Sequence, residues 1–153
     1  MDTNKSTVSE RIAEIEMVCE RNNPIYEQIS NFSIALYALD HFDAPDLLSV
    51  DDLDGCEASE IVSSHFEKIE ANDIPPGYCL SESKERYLMV MGDPMFPTHY
   101  AAVVDTKSQR PFFSKLKFMG SGYDSLEELM KEHSVDDAIN HQDIFFYRKK
   151  EHS

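Results

Sequence analysis

The sequence is poor in cysteine and lacks long apolar runs. Its three cysteines, Cys19, Cys56 and Cys79, are far apart and form no C-x-x-C pair, so neither a disulfide framework nor a zinc site is predicted. No apolar run approaches the roughly 18 residues of a membrane-spanning helix. Residues 1–5 are polar and lack the apolar region of a signal peptide. We therefore expect a cytoplasmic protein that does not contact a membrane.

The sequence also lacks the usual patterns of metal and catalytic sites. Its six histidines show no H-x-H, H-x-x-x-H or H-E-x-x-H spacing, which would place two ligands together. The acidic turn at Gly55 fails as a calcium loop, because the first and twelfth loop positions would be Val50 and Ile61. The glycines before Tyr123 do not form the G-x-S-x-G motif of a nucleophile elbow. We predict no metal and no cofactor.

Basic residues are scarce: 14 stand against 29 acidic ones, and the formal net charge is −15 at pH 7. The imbalance is concentrated in residues 1–76, which hold 17 acidic and 4 basic side chains. Residues 77–153 hold 12 acidic and 10 basic side chains. A protein that binds nucleic-acid phosphates needs the opposite charge. Direct nucleic-acid binding is therefore not expected, and a basic partner protein is predicted instead.

The first half of the chain has the periodicity of helices. Thr7 and Glu10 have the spacing of a capping box, which predicts the start of a helix over residues 8–19. A second helix is predicted over residues 24–39, because an asparagine that can cap it precedes a proline at its first position. A third apolar stripe at helical spacing covers residues 58–69.

The second half has the pattern of strands joined by short turns. Two unbroken apolar runs, Tyr87–Met91 and Tyr100–Val104, predict strands that are buried on both faces. Residues 112–119 alternate in polarity, which predicts an edge strand or a strand with one solvated face. Further strands are predicted at residues 78–80 and 144–147, the last preceded by a helix. The short connections favour antiparallel pairing.

These patterns predict an α+β fold, in which N-terminal helices pack on a mostly antiparallel sheet of four to five strands, with one helix before the last strand. About 75 helical residues alone would form a thin core. We therefore expect residues 1–153 to form a single globular domain. Within it, residues 1–74 make up the acidic helical half and residues 75–153 the half with the β-meander and a helix.

Charge and size favour a non-catalytic protein–protein interaction module or inhibitor. Carboxylates on helices can imitate the phosphate array of nucleic acid, so a basic or nucleic-acid-binding protein is the expected partner. Anti-restriction proteins, anti-CRISPR proteins and immunity proteins against nuclease toxins use this physical principle. The carboxylates predicted to contact the partner are Glu14, Glu16, Glu20, Asp51, Asp52, Asp54, Glu57 and Glu60.

A proline-bounded loop between the first two predicted strands is a second candidate contact surface. Pro94 and Pro97 restrict the backbone around them. Loops held rigidly by a scaffold often carry binding residues, which makes Met95, Phe96 and His99 candidates for partner contact. In an alternative interpretation, the same loop joins subunits of an assembly.

A small-molecule-binding or hydrolytic domain is another alternative. Cys79, Asp93 and His99 are residue types that can act as nucleophile, orienting group and base. Together with Tyr100 they would line a pocket in the sheet half. Their sequence spacing alone does not require them to meet.

A basic rim on the sheet is the last alternative. Its members are Arg110, Lys115, Lys117, Arg148, Lys149 and Lys150. They gather on one edge only if the strand at residues 112–119 and the last strand are neighbours. Such a rim would bind an acidic partner, or the acidic half of a second copy in a homodimer.

Overall fold

The computed structural model describes residues 7–22, 29–42, 44–116, 119–137 and 140–150. The four described α-helices are α1 (Val8–Val18), α2 (Asn31–Ala38), α3 (Gly55–His65) and α4 (Leu126–Asp137). The described strands are β1 (Phe66–Ile69), β2 (Tyr87–Asp93), β3 (Phe96–Val103), β4 (Phe112–Lys115), β5 (Ser121–Asp124) and β6 (Ile144–Lys149). None of these helices is both long and apolar enough to cross a membrane.

The strands form one antiparallel sheet with the order β1-β6-β2-β3-β4-β5. Strands β2 to β5 make a meander, and β6 returns to lie between β1 and β2. The predicted α+β class and the antiparallel sheet are confirmed, and α4 precedes the last strand. The described sheet has six strands, where four to five were predicted.

The two unbroken apolar runs form buried strands, as predicted, and they lie at the centre of the sheet. Every residue of Leu88–Met91 and of Tyr100–Val103 is at most 1% exposed. Neighbouring residues of a strand face opposite sides, and β3 shows what covers each side. The ring of Tyr100 meets Phe32 of α2 at 4.8 Å between centroids, and the ring of His99 meets His133 of α4 at 4.4 Å. The sheet therefore lies between α2 and α4.

Two of the strands were not predicted. The expected continuation of the third helix to Ile69 is wrong, because α3 ends at His65 and β1 pairs with β6. An ion pair between Glu67 and Arg148 joins these two strands. β5 occupies the glycine-rich stretch before α4, where no strand was predicted. It pairs with the preceding strand β4, although glycine and aspartate are depleted in strands and give this stretch no strand signal.

The prediction of an edge or half-solvated strand at β4 is also wrong. β4 is not an edge strand, because β3 and β5 pair with its two sides, and all four of its residues are buried. The end of the predicted strand, at residues 117–118, lies outside the described residues. The strand predicted at residues 78–80 is reduced to a single bridge between Cys79 and Asp105.

Side-chain caps define the starts of the helices. The predicted capping box of Thr7 and Glu10 is confirmed at α1. The predicted start of the second helix at residues 23–28 lies outside the described residues, and α2 begins at Asn31 with Ser30 as its N-cap. The Ser30 hydroxyl accepts a hydrogen bond from a backbone N–H of the first turn, which satisfies a group that has no partner inside the helix.

Candidate functional site

The tip of the β2–β3 hairpin carries the most exposed large apolar side chains among the described residues. Met95 is 68% exposed and Phe96 is 76% exposed. Asp93 pairs with Phe96 across the turn, and the Asp93 carboxylate accepts a hydrogen bond of 2.9 Å from the Met95 N–H. Aspartate commonly stabilises a turn in this way. The hairpin tip, defined as Pro94–Phe96, therefore presents two apolar side chains on an ordered turn.

The direction of the hairpin tip is set by Gly92. The pairing register shifts between Met91 and Gly92, and Gly92 has a φ of 91°. A Cβ atom at this position would lie 2.7 Å from the Thr98 hydroxyl oxygen. Only glycine adopts such a backbone conformation at low cost, and a bulge re-aims the strand that carries it. The tip is therefore held in its orientation by backbone geometry.

An acidic segment, defined as residues 51–60, lies beside the hairpin. A Cβ atom at Gly55 would lie 3.6 Å from the carbonyl oxygen of Pro97, so the start of α3 contacts the start of β3. The segment carries five exposed carboxylates: Asp51, Asp52, Asp54, Glu57 and Glu60. Residues 22–67 contain ten acidic side chains and no lysine or arginine. This part of the chain therefore supplies no lysine or arginine side chain to neutralise the acidic segment.

Several of these carboxylates are fixed in position by the backbone. Asp52 accepts a hydrogen bond of 2.7 Å from the Ser30 N–H at the start of α2. Asp54 and Glu57 form the capping box of α3. The carboxylates of Asp51 and Glu60 have no recorded hydrogen bond or ion pair with another described residue. The segment thus combines anchored charges with charges that are available for contact.

The carboxylates predicted on α1 have different environments. Glu14 is half-buried; it accepts hydrogen bonds from the Tyr37 hydroxyl and, at 2.8 Å, from the Leu47 N–H. Burial and the hydrogen bond to Glu14 raise the pKa of Tyr37. Glu16 and Glu20 are exposed. Glu14 is therefore a structural link between α1, α2 and the following turn, whereas Glu16 and Glu20 remain at the surface.

His99 does not lie in an exposed loop, because β3 begins at Phe96 and includes it. The residue is 1% exposed and faces α4. Burial, followed by the nearby charges of His133, Arg21 and Lys115, lowers the pKa of His99 well below its usual value. The predicted loop of residues 93–99 is in fact a two-residue turn. The structure thus brings Met95 and Phe96 together at the surface and separates His99 from them.

The residues of the hypothetical catalytic pocket lie in different environments. The Cys79 thiol is 3.3 Å from the Ser81 hydroxyl, next to the bridge with Asp105. Asp93 is exposed at the hairpin tip, whereas His99 is buried on the face of the sheet opposite Tyr100. Among the described residues, no three His, Cys, Asp or Glu side chains cluster as metal ligands do.

The basic residues do not form one rim in the structure. β4 and β6 are separated by β3 and β2, so the condition for a rim is not met. Lys115 is buried, Arg110 pairs with Glu128, and Arg148 pairs with Glu67. Lys117 lies outside the described residues.

The hairpin tip and the adjacent acidic segment give one surface with an apolar centre and a negatively charged side. Comparison of the chain with protein-family models, with curated proteins and with solved structures finds no match. Function is therefore inferred from the chemistry of this surface.

Proposed function

We propose that this protein is a non-catalytic binding module that docks on a basic surface of a partner protein. The contact is made by the hairpin tip, with Met95 and Phe96 inserted into an apolar pocket, and by the acidic segment beside it. The observation that carries the proposal is the adjacency of these two features, shown by the contact of Gly55 with Pro97. The exposed carboxylates of the segment select a partner of positive charge.

The apolar side chains supply affinity in this proposal. Burying a large apolar side chain contributes about 1.5–3 kcal/mol, and Met95 and Phe96 are exposed to 68% and 76%. A few well-packed aromatic and apolar anchors commonly account for most of the binding free energy of an interface. The hydrogen-bonded turn and the fixed backbone at Gly92 reduce the conformational entropy that these two side chains lose on binding.

The carboxylates supply selectivity and steering. A surface that binds nucleic-acid phosphates is rich in lysine and arginine, and it offers the charge that the acidic segment complements. A nucleic-acid-binding enzyme is therefore the partner class that we propose, and the module would inhibit it by covering this surface. Because exposed charges are screened by salt, the interaction should weaken as ionic strength rises.

The experiment uses matched variants of the whole chain. M95S/F96S removes the apolar anchors, and D51N/E60Q removes two carboxylates that hold no structural hydrogen bond among the described residues. E127Q/E132Q is the charge control, since it removes two exposed carboxylates from α4 instead. Proteins captured from a lysate of the source organism at low and high salt would be identified by mass spectrometry. The partner would then be purified for affinity measurements.

The anchor variant should weaken binding about 100-fold, which corresponds to two interface anchors. D51N/E60Q should weaken binding about three- to tenfold at low salt, with a smaller effect at high salt. E127Q/E132Q should change affinity less than about twofold, because α4 covers the opposite face of the sheet from α2 and the start of α3, and exposed charges outside an interface are screened. Equal capture by all variants, indifference to salt, or the absence of any captured protein at either salt concentration would contradict the proposal.

A further inference from the structure

A cavity of about 200 Å³ lies away from the hairpin tip. It is formed by α1, the turn at Leu80–Glu82, the residue after β3 and the strand β5. Its lining combines an aliphatic floor with a polar rim. The floor includes Ile12, Leu80 and Val104, and the rim includes Glu16, Ser81 and Tyr123. Elements that are far apart in the sequence thus converge on one concave surface.

Glu16 gives this cavity its charge, because it is the one ionisable carboxylate or base in the lining. The carboxylate is exposed and has no recorded hydrogen bond or ion pair with another described residue. It lines the same cavity as Tyr123, and burial first and then the charge of Glu16 raise the pKa of the Tyr123 phenol. A carboxylate and an aromatic ring therefore stand together over an apolar floor.

Arg21, the base beside strand β5, does not cancel the charge of Glu16. Arg21 lies beside Gly122, the neighbour of Tyr123. Its guanidinium donates hydrogen bonds of 3.1 and 2.8 Å to the two carboxylate oxygens of Asp124. Because this bidentate pair satisfies Arg21, the rim keeps the negative charge of Glu16.

We propose that this cavity binds a small organic ammonium ion with an apolar body. The ammonium group pairs with the Glu16 carboxylate and lies near the Tyr123 ring, an arrangement in which aromatic rings attract cations. The apolar body rests on the aliphatic floor, and Ser81 offers a hydroxyl to a polar substituent. The volume is below the roughly 300–1,000 Å³ of sites for drug-sized molecules, so a ligand of roughly ten non-hydrogen atoms fits.

The charge of the ligand follows from the same geometry. An organic anion of equal size would be repelled by Glu16, and by the net charge of −15 of the whole chain. A neutral ligand would use the floor but not the carboxylate. This inference does not rest on the proposed partner surface, because the cavity and the hairpin tip share no residue.

The test compares three probes that share a phenyl ring: phenethylamine, 2-phenylethanol and phenylacetate. Each is titrated into the ¹⁵N-labelled whole chain, and amide shifts are followed at Ser9, Ser81 and Tyr123. Phenethylamine should shift these amides with a Kd of about 1 mM, as expected for a ligand of this size. Phenylacetate should bind at least about tenfold more weakly, because its charge is reversed.

Two pairs of variants measure separately what the Glu16 charge and the Tyr123 ring contribute to binding. Glu16→Gln should weaken phenethylamine about tenfold and leave 2-phenylethanol unchanged, whereas Glu20→Gln, on an exposed carboxylate outside the cavity, should change neither. Tyr123→Leu should weaken the amine about three- to tenfold, and Tyr123→Phe, which keeps the ring, less than about twofold. Equal binding of the amine and the acid, shifts at other amides, or no effect of Glu16→Gln would overturn the proposal.

Discussion

The two ends of the β2–β3 hairpin place the same class of residue in opposite environments. In the strands, Val90 and Tyr100 are at most 1% exposed, whereas at the tip Met95 and Phe96 are 68% and 76% exposed. The strands are covered by α2 on one face and α4 on the other. Apolar character alone therefore does not decide burial; coverage by other elements does. The covered end stabilises the fold, and the uncovered end is available for a partner.

A substitution in the covered strands should have the largest effect on stability. Leu88→Ala removes a side chain that is 0% exposed and leaves a cavity in a close-packed core. The free energy of unfolding should fall by about 2–5 kcal/mol, as measured by urea denaturation. A loss below about 1 kcal/mol would mean that the strands are not the rigid end of the hairpin.

Acidification should lower the free energy of unfolding, because His99 in the covered strands resists protonation in the folded state. Burial lowers the pKa of His99 well below 6.5, and burial, Lys149 and His65 lower the pKa of His41 to about 4. Below pH 6.5 the unfolded chain gains protons that these histidines do not accept in the folded state. Stability should therefore fall between pH 6.5 and about 4.5, by up to about 1.4 kcal/mol per pH unit for each fully neutral histidine.

Above about pH 5.5 the carboxylates are ionised in both the folded and the unfolded chain, so the slope between pH 6.5 and about 5.5 reports on the histidines. His41 is partly exposed, so its contribution should be smaller than that of His99. Urea denaturation at half-unit pH steps measures the slope, and His99→Gln should make it shallower. A stability that stays constant across this window would contradict the buried, neutral state of His99.

Gly92→Ala tests the junction between the two ends. The added Cβ meets the Thr98 hydroxyl, and the φ of 91° is unfavourable for alanine. The free energy of unfolding should fall by about 1–3 kcal/mol. Gly77→Ala is the matched control, since no atom lies within 4 Å of its added Cβ. Equal stability of the two variants would show that Gly92 does not direct the tip.

The smallest effect on stability is expected at the tip itself. M95S/F96S exchanges exposed side chains, so the free energy of unfolding should change by no more than about 0.5 kcal/mol per site. Thermal or urea denaturation of this variant checks the expectation. A loss comparable to that of Leu88→Ala would place the tip residues in the core and remove the contrast between the two ends.

The sequence predicts those parts of the fold that are encoded locally. The apolar runs of β2 and β3 require burial on both faces, and Thr7 caps its own helix. Strand β1 is defined by its pairing with the distant strand β6, and β5 is defined by its pairing with β4 in spite of its glycine-rich sequence. Neither strand has a periodic apolar pattern of its own.

The burial of Arg11 likewise could not be predicted from the sequence around it. The sequence places it on an acidic helix, where a charged side chain is usually solvated. In the structure it is 0% exposed and donates hydrogen bonds to the carbonyl oxygens of Tyr37 and Phe42. Carbonyl groups at the C-terminal end of a helix favour a cation, but here the cation comes from another helix, which the sequence of α2 does not indicate.

Only part of the candidate site could be predicted from the sequence. Met95 and Phe96 were predicted as contact residues from the flanking prolines, and they are exposed on an ordered turn. His99, five residues along from Pro94, is instead enclosed by α4, whose position depends on the whole topology. Sequence reasoning missed the cavity with Glu16 and Tyr123, because only the packing of α1 against β5 brings them together.

The central claim is that the covered strands carry stability and the uncovered tip carries binding. The most direct measurement is the affinity of the purified partner for the wild type and for M95S/F96S, with the free energy of unfolding measured on both samples. We expect an affinity loss of about 100-fold with stability retained within about 1 kcal/mol. Equal affinity for both proteins, or a loss of binding that accompanies unfolding, would contradict it.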